Sequence, residues 1–291
     1  MAEFYEGTLD TLMERLCNSI SSFDQEWVKR CVPATEGQIQ QLQDILEEYH
    51  YTIPAAYLYF LRKMGQNDGG LLENEWDDCE ADIGMVLEVL EDREDLEKGF
   101  FLFSSNWDYA LFYMNLSSMD DNPVITGIIG GDYDAKRLMF PDVAVCSWNG
   151  ITCTYIAESF EKYLFQRAFH MYLRGFAHRD LQHHACHEKK EKEDCRMCPL
   201  YGNTAEEYMD YIIRMADTYG LKKAWFSDRT HFFCYCSNYA FEISVSDYEY
   251  VVNFSCDDDK LFEQARYSSL FPEFFVYLNK YGDCGDRNDR E

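Results

Sequence analysis

Two stretches near the start of the chain place apolar residues at helical spacing. The first helix is predicted from about Thr35, which forms a capping box with Gln38, to His50. Its apolar stripe consists of Ile39, Leu42, Ile45, Leu46 and Tyr49. The second helix has Pro54 in its first turn and ends at Gly65. Its apolar face consists of Tyr57, Phe60, Leu61 and Met64. The pattern therefore predicts two consecutive amphipathic helices.

From residue 100 the pattern changes to short apolar runs that are typical of strands. Residues 100–104 and 109–116 flank a polar turn and predict an antiparallel hairpin. Further strands are predicted at 123–129, 143–148 and 151–155, before a helix that begins near Ser159. A second group follows, and its predicted elements are a helix over 204–219, strands near 223–227, 231–236, 239–245 and 249–254, and a helix at about 259–280.

The order of these elements predicts the fold class. Strands that are grouped together and flanked by helices favour an α+β fold, since a doubly wound fold would alternate them with helices. We therefore predict a mostly antiparallel sheet flanked by helices over residues 1–178. A Cys/His connector is predicted over 179–200, and a second, smaller α+β domain over 201–291.

Composition supports a folded protein inside the cell. Of the 291 residues, 47% are hydrophobic and 16% aromatic, which is too rich for a disordered chain. The start of the chain is acidic where a secretory signal would be basic, and no run of eighteen apolar residues is free of charge. We expect a cytoplasmic protein with reduced thiols and no membrane association.

The charge of the chain is strongly negative and unevenly distributed. Fifty-three acidic residues against 26 Lys and Arg give −27, a balance that disfavours nucleic-acid binding and favours a basic partner. Residues 67–100 alone carry thirteen acids against Arg93 and Lys98, a net charge of −11. Trp76 lies among these acids, as an interface anchor with a polar rim would. The predicted partner-binding residues are Glu73, Glu75, Trp76, Asp77, Asp78, Glu80 and Asp82.

Both features also have a simpler interpretation. An acidic run is often only a solvated loop, and a tryptophan is often packed on the core of its own domain. The sequence leaves these alternatives open for the segment around Trp76.

Several of these motifs together resemble the SUKH superfamily, which includes fungal regulators of the Smi/Knr type and bacterial immunity proteins against toxins. They are TEGQIQQLQDIL, TIPAAYLYFLRKMGQNDGG, the hairpin FFLFSSNWDYALFYMNL and IAESFEKYL, within residues 35–172. The chain departs from the usual pattern in its Asn-Asp-Gly-Gly turn and its long acidic insert. The resemblance implies a protein-binding module that recognises its partner without catalysis, and it transfers no catalytic residue.

A candidate metal site lies in the predicted connector. His183 and Cys186 form one pair at the tight spacing of zinc ligands, and Cys195 and Cys198 form another. His184 or His187 could take the place of His183. Four ligands would close a tetrahedral site, so the predicted cofactor is a structural zinc. A metal-free linker with reduced thiols is the alternative.

The SUKH resemblance, taken with the acidic charge, implies a non-enzymatic protein that binds and neutralises a cognate toxin, of basic, nuclease type, through an acidic face. One alternative is a regulatory scaffold that binds a cellular protein. Another is a zinc-dependent hydrolase that uses Cys195 and Cys198 with Glu188. Phosphate-loop, G-x-S-x-G, H-E-x-x-H and EF-hand motifs are missing from the sequence.

Overall fold

A computed structural model of the chain describes residues 2–72, 81–90, 94–106, 110–129, 147–148, 151–152, 154–186, 213–214, 216–217, 220–228, 230–236, 238–245 and 249–266. The chain divides into two compact units, Met1–Met171 and Tyr172–Glu291. Both contain antiparallel strands and helices, so the predicted α+β class is confirmed.

The first unit combines helices with a four-stranded sheet. In chain order they are α1 (Leu12–Ser21), α2 (Trp27–Arg30), α3 (Glu36–Glu48), α4 (Ala55–Met64), α5 (Ile83–Val89), α6 (Glu94–Glu97) and α7 (Phe160–Arg174), whose last three residues belong to the second unit. A 3-10 turn over Leu9–Thr11 precedes α1. The sequence did not predict α1, α2, α5 or α6. Its prediction for α3 is confirmed, because Thr35 and Gln38 form the reciprocal capping box.

The strands described in the first unit pair in antiparallel fashion. They are β1 (Cys31–Val32), β2 (Asn67–Asp68), β3 (Phe100–Asn106), β4 (Ala110–Asn115), β5 (Ile125–Ile129), β6 (Ser147–Trp148), β7 (Ile151–Thr152) and β8 (Thr154–Ala157). The main sheet has the order β3-β4-β5-β8, while β1 pairs with β2 and β6 pairs with β7. The predicted hairpin of β3 and β4 is therefore confirmed.

An aromatic cluster joins the helices to the main sheet. The rings of Tyr57 and Phe60 on α4 lie 5.5 and 5.7 Å from that of Phe160 on α7. Phe101 and Phe103 on β3 lie edge-on to Tyr57 at 5.3 and 6.3 Å. All five side chains are fully buried. The apolar face that periodicity predicted for α4 therefore packs against the main sheet.

A five-stranded antiparallel sheet forms the centre of the second unit. Its strands are β9 (His178–Cys186), β10 (Lys222–Lys223), β11 (His231–Tyr235), β12 (Tyr239–Val245) and β13 (Glu249–Cys256), in the order β10-β11-β12-β13-β9. The helix α8 (Asp259–Arg266) follows β13. The structure differs from the sequence prediction in two places. Residues 178–186 form a strand where a connector was predicted to begin, and the strand predicted at 223–227 is limited to β10.

Candidate functional site

Both ends of the acidic segment 73–80 are anchored in the core of the first unit. Leu71 and Leu72 precede the segment, and both are fully buried. Ala81 and Ile83 follow it and are also buried, and the backbone N–H of Ile83 donates to the carbonyl of Gly65 at 2.7 Å. The segment itself lies outside the described residues. Its two attachment points are therefore set by packing in the core.

The turn before the segment is built around the carboxylate of Asp68. This group accepts hydrogen bonds from the backbone N–H groups of Gly70, Leu71 and Leu72 at 2.9, 3.2 and 3.0 Å. Burial raises the pKa of Asp68, although the three N–H donors oppose the rise. A carboxylate held by three backbone donors is a structural group, so Asp68 organises the turn and is not available to a partner.

Trp27 and Arg167 support this turn from the core. The indole Nε1 of Trp27 donates to the carbonyl of Asp68 at 3.0 Å, and the guanidinium of Arg167 donates to the carbonyl of Leu72 at 3.1 Å. Gly69 has φ +70°, and a Cβ atom there would lie 2.7 Å from the indole nitrogen. A glycine is therefore required by both the backbone conformation and the close approach of Trp27.

The predicted partner-binding residues fall into two groups. Glu73, Glu75, Trp76, Asp77, Asp78 and Glu80 lie outside the described residues. Asp82 is the N-cap of α5, where its carboxylate accepts from the N–H groups of Gly84 and Met85 at 2.8 and 3.2 Å. Asp82 thus stabilises the helix that follows the acidic segment, as an N-cap aspartate commonly does.

Of the four predicted zinc ligands, two lie within the described residues and two lie outside them. Cys195 and Cys198 lie outside the described residues, whereas positions 183 and 186 belong to β9, where they pair with Val252 and Glu249 of β13. Residues three apart on a strand fall on opposite faces, roughly 10 Å apart along the backbone. Positions two apart share a face. The strand therefore places position 184, and not 183, on the same face as Cys186. Among the described residues, no three His, Cys, Asp or Glu side chains form a group that could hold a metal.

His231, at the start of β11, lies next to a buried carboxylate. Its Nδ1 is 3.8 Å from Oδ1 of Asp228 and 3.0 Å from Oγ1 of Thr230. The same Asp228 oxygen accepts from the N–H groups of Thr230 and His231 at 2.9 and 2.8 Å. The Asp-x-Thr turn is the local signal that could have indicated this arrangement.

The two groups shift each other's protonation. Burial acts to raise the pKa of Asp228, but the hydrogen bonds and charge of His231 outweigh it and lower that pKa to about 2. Burial acts to lower the pKa of His231, but its hydrogen bond to Asp228 and the charges of Asp228 and Glu242 raise it overall. The hydrogen bonds between the two groups lie within the turn before β11, and the ring of His231 also stacks on that of Phe233 within β11. They brace this hairpin, and we assign them no catalytic role.

Comparisons with known proteins do not place the chain in a family. No family model, curated protein or solved structure matches it. In the part of the chain that the structure describes, no helix is long and apolar enough to cross a membrane.

Proposed function

We propose that the chain is a non-catalytic, cytoplasmic binding protein of SUKH type that neutralises a basic, nuclease-type toxin through its acidic segment. The observation that carries this proposal is the anchoring of residues 73–80. Five acids and Trp76 lie between two attachment points held in the core by Asp68, Trp27 and Ile83. A segment with fixed ends loses less conformational entropy on binding than a free chain would.

The charge of the segment suggests how a partner would be captured. Opposite charges accelerate encounter, and association at low salt can reach about 10⁸ M⁻¹s⁻¹. Because salt screens this attraction, the association rate constant should fall steeply as ionic strength rises. A partner that binds at a rate independent of salt would contradict the acidic-segment mechanism.

The test begins with capture of the tagged chain's partners from its native cells at low and high salt. A single basic protein that is held stoichiometrically, released by salt and detoxified by co-expression of the chain would support the proposal. A set of host regulatory proteins would instead favour the scaffold alternative.

A matched pair of variants tests the segment itself. The first variant replaces Glu73 and Glu75 with glutamine and Asp77 and Asp78 with asparagine. The control neutralises four exposed acids elsewhere in the first unit, Glu6, Asp10, Glu14 and Glu47. Both variants raise the net charge by the same amount. If the acidic segment itself contacts the partner, the segment variant should therefore associate more slowly than the control variant.

We further propose that a structural zinc binds between β9 and the Cys195/Cys198 pair. Strand alternation favours His184 over His183 as the partner of Cys186. Zinc content of purified protein, measured with His184→Ala and with His183→Ala as the matched control, tests this assignment. Loss of zinc only in the His183 variant would restore the ligand set predicted from the sequence. Protein that contains far less than one zinc per chain without exposure to chelators would exclude the site.

A further inference from the structure

The loop between β4 and β5, residues 116–124, is fixed at several points of the first unit. Its first residue, Leu116, donates its N–H to the carbonyl of Gly99 at 2.8 Å and accepts from the N–H of Met119 at 3.0 Å. The carbonyl of Asp121 accepts from the N–H of Ala56, at the start of α4, at 2.9 Å. The loop is thus joined both to the strand beside it and to a core helix.

Glu161 on α7 holds the end of the same loop through two hydrogen bonds to Asn122. Asn122 donates from Nδ2 to the carboxylate of Glu161 at 3.2 Å, and its Oδ1 accepts from the N–H of Glu161 at 2.9 Å. Glu161 also forms a buried ion pair with Arg15 of α1. The loop is therefore held in one conformation by contacts from several elements.

Met119 lies at the tip of this fixed loop and is 77% exposed. Its φ of +51° is in the left-handed region, which is unfavourable for a residue with a Cβ atom. The fold thus combines an unfavourable backbone conformation with an exposed, flexible apolar side chain. Methionine is frequent at binding surfaces because its side chain adapts to a partner.

The surroundings of Met119 combine apolar and acidic groups. Met119 itself lines a small recess, together with Tyr51, Thr52, Pro54, Leu116, Asp120 and Asp121. Both aspartates are exposed, and Val124 nearby in the loop is 37% exposed. The surface therefore offers an apolar contact next to two negative charges.

We propose that this Met119 surface, consisting of Met119, Asp120, Asp121 and the recess beside them, docks a protein segment that carries an apolar side chain next to Lys or Arg. The inference rests on the proposed function as a protein-binding module and adds a second contact region to the acidic segment. A basic segment is complementary to the two aspartates and to a chain of net charge −27. A second copy of the chain is disfavoured, because it would bring like charges together.

The probe for this surface is a phage-displayed library of random twelve-residue peptides, selected on the full-length chain. We expect enriched peptides to combine Lys or Arg with large apolar residues. Synthetic versions should bind Met119→Gly at least about tenfold more weakly than the wild type, as expected for the loss of an anchor residue. Replacing Asp120 and Asp121 with asparagine should weaken binding and reduce its salt dependence.

Met119→Gly removes the side chain without destabilising the fold. Glycine relieves the positive φ at this position, so Met119→Gly should unfold at a higher temperature than the wild type while binding less. Tyr5→Ala, which removes an exposed aromatic side chain elsewhere in the first unit, is the matched control and should leave peptide affinity unchanged.

Three results with the purified chain would overturn the inference. They are the enrichment of peptides without basic residues, unchanged peptide affinity in Met119→Gly, and self-association of the wild type in light scattering that Met119→Gly abolishes. A cellular partner that binds Met119→Gly normally but requires the acids at 73–78 would refute this surface and leave the proposed function intact. The absence of any basic partner, with peptide binding that still depends on Met119, would refute the proposed function alone.

Discussion

Replacement of Gly69 by alanine tests whether the base of the acidic segment is as tightly packed as the structure indicates. An L-residue at φ +70° costs about 1–2 kcal/mol relative to glycine. The added Cβ would also lie 2.7 Å from Nε1 of Trp27, whose side chain is fully buried and bonded to the carbonyl of Asp68. Overpacking of this kind costs about 1–3 kcal/mol. We therefore expect Gly69→Ala to lower the free energy of unfolding by about 3 kcal/mol in total.

The chain contains a matched control for the conformational part of this cost. Gly220 has the same φ of +70°, but a Cβ atom there would meet no atom of the described residues within 4 Å. Gly220→Ala should therefore cost only about 1 kcal/mol. A third variant, Gly69→Asn, keeps the steric clash but tolerates the left-handed conformation, so it should lie between the other two.

Urea denaturation followed by far-ultraviolet circular dichroism measures these differences, with each variant compared with the wild-type chain. If Gly69→Ala loses no more stability than Gly220→Ala, Trp27 can move away from the turn at no cost. The rigid base of the acidic segment, and the entropic advantage that we derive from it, would then have to be abandoned.

Four further predictions concern other parts of the chain. Arg15→Met should lower the free energy of unfolding by about 3–5 kcal/mol in urea denaturation, because it leaves the buried Glu161 without its cation; Arg15→Met with Glu161→Met should recover much of the loss, and no recovery would count against the ion pair. Met119→Gly should raise the free energy of unfolding by about 1 kcal/mol, and a loss would show that the positive φ is not strained. Because folding lowers the pKa of Asp228 to about 2, its carboxylate contributes about 2 kcal/mol to the free energy of unfolding above pH 4. This contribution should be lost as the pH falls to 2, and Asp228→Asn should not show the loss. His231 has a raised folded pKa, so its contribution should be complete below about pH 6.5 and disappear at higher pH; nuclear magnetic resonance titration of the ring would show a pKa above 6.5.

Local sequence signals predicted the helical pair of the first unit well. The capping box at Thr35 and the buried face of α4 depend on residues three or four positions apart, so periodicity is sufficient to identify them. The hairpin of β3 and β4 is also local, since its strands follow each other closely in the sequence. The α+β class followed from the order of these elements.

The candidate site was harder to predict because its geometry depends on distant contacts. In the sequence, Asp82 is one acid among many, and only the start of α5 after it makes it a helix cap. The turn at Asp68 similarly depends on Trp27, which lies 41 positions earlier in the chain. Charge could be read from the sequence, but it did not show that Asp68 and Asp82 hold backbone N–H groups within the fold.

The sequence by itself determined the fold class, the strong negative charge, and the helices whose signals lie within one or two turns. Tertiary structure decided that residues 178–186 are a strand, because the pairing partner of β9 is β13, more than sixty residues later. It also decided which positions of β9 share a face, and that Met119 is exposed at the tip of a fixed loop. Helical periodicity depends on residues three or four positions apart in the sequence. Strand pairing, burial and loop anchoring instead depend on groups that only the folded chain brings together.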